Sequence, residues 1–138
     1  MSTPIQNALP KWFSLRADIQ REIKGRIETN KSFLADSLGT VLQKRTVPEL
    51  FSTKGGWYTI LKLPNSKSEE EWALEFLRKD HVFIHPGYFF DFPAKIRGGS
   101  ATLFSEEDEA YMILSLLPPP EIFKEGISRI LQRIRLSS

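Results

Sequence analysis

The chain has 138 residues, enough for one domain with a single core that needs no covalent or metal staple. Apolar residues make up 41% and charged residues 26%, an ordinary globular balance, and a formal charge of +2 is too small to mark a nucleic-acid binder. Cysteine is absent, which excludes a disulfide framework, a thiolate nucleophile and a cysteine-based zinc site.

Residues 4–44 have the spacing of a long helix, bent or broken near Ser14. Ile19, Ile23 and Ile27 recur at every fourth position, and Leu34, Leu38, Val41 and Leu42 continue the stripe. Arg21, Glu22, Lys24, Glu28 and Lys31 fill the other face, so the basic residues from Lys11 to Arg45 read as solvated. A helix this long with one apolar stripe needs a cover, either its own sheet or a partner. Val47-Pro48 ends it, because the residue before proline avoids helical angles.

Gly55-Gly56 turns the chain into a strand over residues 57–63, where Trp57, Thr59 and Leu61 alternate with Tyr58, Ile60 and Lys62. Ser68 is the expected N-cap of a short helix ending near Lys79, with Glu71 completing a capping box. Trp72, Ala73, Phe76 and Leu77 form its apolar face, and Glu69, Glu70 and Glu71 read as complements to the helix dipole rather than catalytic acids. Val82-Phe83-Ile84 is a short predicted strand entering the His85-Pro86-Gly87 turn.

Residues 93–110 are polar, with Gly98-Gly99 and the run Glu106-Glu107-Asp108-Glu109, and read as an exposed excursion. Residues 111–117 are almost continuously apolar, the pattern of a strand buried on both faces. Pro118-Pro119-Pro120 stops that strand and opens a closing helix, where Phe123, Ile127, Ile130 and Ile134 repeat at helical spacing and arginines gather toward the end. The expected fold is α/β (α+β), a two-layer sandwich with a long N-terminal helix and other helices packed on a small three-stranded sheet. Residues 1–138 are expected to form one domain, with a connecting helix region over 1–46 and a sheet-and-helix core over 55–138.

Several segments, in this order, carry a family likeness. They are the opening 2–10, the Arg26…Asn30…Leu34 pattern, Gly55-Gly56-Trp57-Tyr58, His85-Pro86-Gly87 with Tyr88-Phe89-Phe90, and 111–117. Together they resemble the C-terminal small domain of class I/II (fold-type I) pyridoxal-phosphate-dependent aminotransferases. The resemblance implies a transferase that moves an amino group between an amino acid and a 2-keto acid, with the cofactor acting as electron sink. It implies that the Schiff-base lysine, the phosphate cup and the carboxylate facing the pyridine nitrogen belong to a large domain outside this chain. The full-length enzyme is then a homodimer, and this chain alone binds no pyridoxal phosphate and is inactive. Lys54, Lys62 and Lys95 read as surface lysines, since a reactive amine needs desolvation or a neighbouring cation.

The family's small domain contributes an arginine on its last strand, whose planar fork grips the substrate carboxylate. In this sequence the matching position is Ile113, which cannot do so. Arg97 is a candidate to reach in from the polar excursion. Tyr88 and Phe89 are candidates to line the substrate entrance, with Phe90 assigned to the core. His85 reads as a hydrogen-bonded turn residue and His81 as a helix cap, and two histidines without ligand spacing make no metal site. A stand-alone ferredoxin-like module that binds a ligand or protein through Tyr58, Tyr88 and Gly98-Gly99 is the alternative reading. A basic-helix nucleic-acid binder is a third. No charged-then-apolar leader and no apolar run of roughly 18 residues occurs, so a cytoplasmic protein without membrane contact is expected.

Overall fold

The N-terminal stripe forms helix in two pieces. The computed structural model describes residues 3–42, 48–51, 53, 55–90 and 110–137. Helix α1 (Thr3–Ser14) and helix α2 (Arg16–Leu42) meet at Leu15, whose amide bonds the Trp12 carbonyl only three residues back. Ser14 Oγ donates to the Lys11 carbonyl at 2.7 Å, satisfying an acceptor that the broken ladder frees. At 27 residues α2 is about 40 Å long. Leu34 and Leu38 near its C-terminal end enter the core, with Ile27 and Phe33 packed at the margin. Further up, Ile19 and Ile23 are exposed, and α1 buries none of its residues. The apolar stripe therefore runs well past the core it serves.

Strands β1 (Glu49–Leu50), β2 (Tyr58–Leu63), β3 (His85–Pro86) and β4 (Ala110–Ser115) form an antiparallel sheet in the order β1-β2-β4-β3. The sandwich expected from the sequence is present, with a short edge strand, β1, added to the three anticipated. β2 alternates as its sequence predicts: Thr59, Leu61 and Leu63 are buried against the helices, while Tyr58, Ile60 and Lys62 face the other way. Their partners on β4 are Leu114, Met112 and Ala110 on the helix side, and Ser115, Ile113 and Tyr111 on the open side. All of β4 except Ser115 is buried.

One strand differs from expectation. Val82–Ile84 stays outside the ladder, and pairing begins at His85, opposite Ile113. The cause lies in how helix α3 (Glu69–Asp80) ends. His81 adopts left-handed angles (φ 55°), and the Val82 amide closes back on the Phe76 carbonyl at 3.0 Å, so residues 81–84 are spent on the helix exit. Pro86 can follow because β3 is an edge strand, where no second neighbour needs its missing amide.

At its other end α3 carries the capping box read from the sequence. Ser68 Oγ accepts from the Glu71 amide, and the Glu71 carboxylate accepts from the Ser68 amide. Trp72 and Phe76 stack at 5.4 Å in the core, while Leu77 of the expected buried face is exposed. Helix α4 (Pro120–Ser137) buries Phe123, Ile127, Ile130, Leu131 and Ile134, the predicted periodicity plus one leucine. These residues and those of α2, α3 and the inner sheet face form one core on one side of the sheet.

Two polar devices fix the helices, one to the end of that sheet and one to each other. Asn30, fully buried on α2, donates from Nδ2 to the carbonyls of Leu116 (3.0 Å) and Pro118 (2.9 Å), and Arg26 reaches the Leu117 carbonyl. These carbonyls follow β4, where no ladder serves them. On the far side Arg133 of α4 grips Asp80 with two bonds of 2.8 and 3.0 Å, and Glu75 of α3 accepts from Lys67 and Lys79. The bonds from Lys67 and then Lys79 lower the Glu75 pKa from 4.5 to about 2.

Two outcomes are expected. Asn30→Ala leaves one buried and one part-buried carbonyl without this donor and should lower the unfolding free energy by about 2–3 kcal/mol in urea titration. Because the Glu75 carboxyl is harder to protonate when folded, its contribution is complete above pH 4.5 and fades as pH falls toward 2. Acid unfolding followed by circular dichroism should therefore be less steep in that window for Glu75→Gln.

Candidate functional site

Chemistry-bearing residues concentrate on the open face of the sheet, opposite the helices. The short 3-10 turn Gly87–Phe90 follows β3 and carries Tyr88, Phe89 and Phe90. Two contacts hold this turn against β4. The Glu69 carboxylate accepts from the Tyr88 amide at 2.7 Å and from the Tyr111 amide at 2.9 Å, one oxygen to each. A Cβ on Gly87 would lie 2.9 Å from the Tyr111 Cβ and 3.0 Å from the Tyr111 carbonyl oxygen, so only glycine permits the approach. First-turn Glu69 is thus structural, as its position suggested, but its partners are the turn and the strand.

On this base the rings form a continuous arc. Phe83 meets His85 edge-to-face at 4.9 Å, and His85 lies 6.2 Å from Phe89 and 6.1 Å from Phe90. Phe90 is 6.0 Å from Tyr58, which touches Trp57, and Tyr88 sits edge-on to Phe89 at 4.7 Å. Tyr58 and His85 stand on the two strands flanking β4, so the Phe90 ring bridges across that strand. Most of these rings remain open to solvent: Phe83 is 70% exposed, Phe89 64% and Tyr88 47%. A contiguous exposed aromatic surface of this kind marks a binding face.

The residues named from the sequence fall as follows. Tyr88 and Phe89 lie on the arc. Ile113 lies in the sheet, 3% exposed, in a row with Ile60 and His85 across β2, β4 and β3. It offers neither charge nor hydrogen bond to this face. Phe90, assigned to the core, is instead on the open face and 43% exposed, because the 3-10 turn carries it over the sheet edge. Arg97, with Lys54, Lys95, Gly98-Gly99 and the acidic run, lies outside the described residues. Sequence reasoning passed over His85 as a hydrogen-bonded turn residue. The structure places it in a strand among rings, and the alternation Phe83-x-His85 was the available signal. His81 is the helix C-cap, as expected.

Two concavities lie elsewhere. A cleft of about 290 Å³ between residues 81–84 and α4 is lined by Phe83, Ile122, Phe123, Ile127 and Arg129 among others. A second lies between α2 and α4, beside Ser37 and Arg135. Neither contains a lysine, and the cationic ends of Lys31, Lys67, Lys79 and Lys124 are engaged by oxygens of the protein. Neither concavity thus joins an amine to a phosphate cradle, the pair that pyridoxal phosphate needs. Among the described residues, no group of three His, Asp or Glu side chains is placed to hold a metal ion. No helix among those described residues is long and apolar enough to cross a membrane.

The chain matches no protein-family model and no curated protein sequence. Solved structures do share its fold. An archaeal alanine:glyoxylate aminotransferase superposes on 79% of this chain with a TM-score of 0.57 at 17% identity. Apo-BacF from Bacillus subtilis covers 85% (TM-score 0.56, 20% identity), and an aromatic aminotransferase from Pyrococcus horikoshii covers 92% (TM-score 0.54, 13% identity). The chain spans only 24%, 26% and 28% of those three proteins, about a quarter of each. The likeness to the aminotransferase C-terminal domain is thus borne out at the level of fold.

If the Glu69 and Gly87 contacts hold the turn, changing either should free it without unfolding the core. Gly87→Ala and Glu69→Ala are each expected to speed hydrogen exchange of the Tyr88 and Tyr111 amides by tenfold or more, at a stability cost of about 1–3 kcal/mol. Amides of α2 should exchange as before.

Proposed function

We propose that the chain is the small domain of a pyridoxal-phosphate-dependent aminotransferase and closes over the substrate of a larger enzyme. The carrying observation is the exposed aromatic face on a sheet whose fold recurs in aminotransferases more than three times as long. In this reading the cofactor and its lysine belong to a large domain, and full activity requires a homodimer of the complete enzyme. A chain without cysteine suits the cytoplasm, where we place it.

The chain's own residues then have definite tasks. Glu69 and Gly87 hold the 87–90 turn so that Tyr88, Phe89 and Phe90 present their rings as a wall. When the two domains close, that wall excludes water from the reacting amino group. The uncovered stripe of Leu15, Ile19 and Ile23, with Trp12 and Phe13 on α1, supplies the second contact with the large domain. Ile113 leaves β4 without a charge for the substrate carboxylate, so this enzyme does not hold its substrate by an arginine at that position.

The test mixes the purified chain with pyridoxal phosphate, an amino acid and a 2-oxo acid, with and without a cofactor-binding large domain. Transamination is expected only when the large domain is present. Turnover by the chain alone, or none in either arm, contradicts the reading.

A further inference from the structure

The structure assigns to the rings around His85 a subsite for an aryl-bearing carboxylic acid, in which an imidazole N–H takes the carboxylate. The rings beside it take the aryl group. This names the substrate class of the site proposed above and rests on that reading for its role, although the binding itself needs only the residues described here.

Among the described residues, the charge inventory of the open face leads to His85. Glu69 has both oxygens committed to the Tyr88 and Tyr111 amides. Lys62 has an interaction of its own. The central row reads Ile60, Ile113, His85, so two of its three positions offer only hydrocarbon. Among the described residues, the His85 ring nitrogens make no hydrogen bond, although the side chain is half-buried between Phe83, Phe89 and Phe90. A donor in apolar surroundings without a partner gains most from an acceptor brought by a ligand. Opposed positions on neighbouring strands bring their Cβ atoms to about 5 Å, so a carboxylate bound at His85 lies directly over the Ile113 row.

The rings decide what the acid carries. Phe83 stands edge-on to His85 and Tyr88 edge-on to Phe89, at interplanar angles of 79° and 80°. This geometry leaves ring faces uncovered, and those of Phe83 and Phe89 are the most exposed of the arc. An aryl group can complete the arrangement by offset or edge-on contact, whereas a short aliphatic acid buries little of it. The subsite therefore discriminates by the ring, with the carboxylate setting orientation.

The experiment titrates the full 138-residue chain with phenylpyruvate, pyruvate and phenylacetone, following the two histidine rings by NMR. Phenylpyruvate should shift the His85 resonances saturably and leave those of the exposed His81 in place. Pyruvate, which lacks the ring, and phenylacetone, which lacks the carboxylate, should bind at least tenfold more weakly. His85→Phe should cost about tenfold in phenylpyruvate affinity, His85→Gln less because it keeps a donor, and Phe89→Ala, at an exposed position, several-fold. Absence of a saturable His85 shift in the unaltered chain overturns the subsite, as does unchanged affinity in folded His85→Phe. Either result leaves the complementation test with the large domain standing, and failure of that test leaves the binding result untouched.

Discussion

A single constraint organises this protein: β4 is apolar on both faces and must be covered from both. Met112 and Leu114 meet α2, α3 and α4, which between them bury one side completely. Tyr111 and Ile113 point the other way and are buried as well, outside that core cluster. Among the described residues, aromatic side chains lie beside them, with Phe51 5.8 Å from Tyr111 and Phe90 bridging from Tyr58 to His85. That aromatic layer is itself largely uncovered. The demand for burial is thus passed outward from the strand to the surface, and the surface becomes a place for something else to bind.

Polar contacts decide where this demand is met. Asn30 and Arg26 tie the long helix to the carbonyls after β4, which sets the helix side. Glu69 and Gly87 draw the 3-10 turn down onto Tyr111, which sets the open side. Both devices act on β4, so the distance between core and binding face is fixed by a single six-residue strand. A rigid face suits binding, since little order remains to be lost when something docks on it. The same logic applies to the apolar stripe of α2, which extends beyond its own core and needs a neighbour.

Much of the fold was legible because its determinants are local. The Ser68 capping box, the alternation of β2 and the four-residue apolar repeat of α4 are each written within a few positions. The exit of α3 was harder. His81 was read as a cap, but the residues consumed by the left-handed turn shifted the start of β3 by three positions. Two-residue β1 has no alternation to detect. The site was less legible still, because its determinants are distant in sequence. Asn30 and its acceptor at Leu116 lie 86 positions apart, and Glu69 and Tyr111 lie 42 apart. Nothing local marks His85 as the neighbour of Ile113, since strand register alone brings them together.

The most direct test of the account is covalent footprinting of side chains, with and without a cofactor-binding large domain. Trp57, Tyr58, Tyr88 and Phe89 should be labelled readily in the isolated chain and protected severalfold on association, together with Trp12 and Phe13. Exposed positions on α4 such as Gln132 should be labelled equally in both. Unchanged labelling of the aromatic face, or protection confined to the helix side, would contradict the claim that this face is built to be covered.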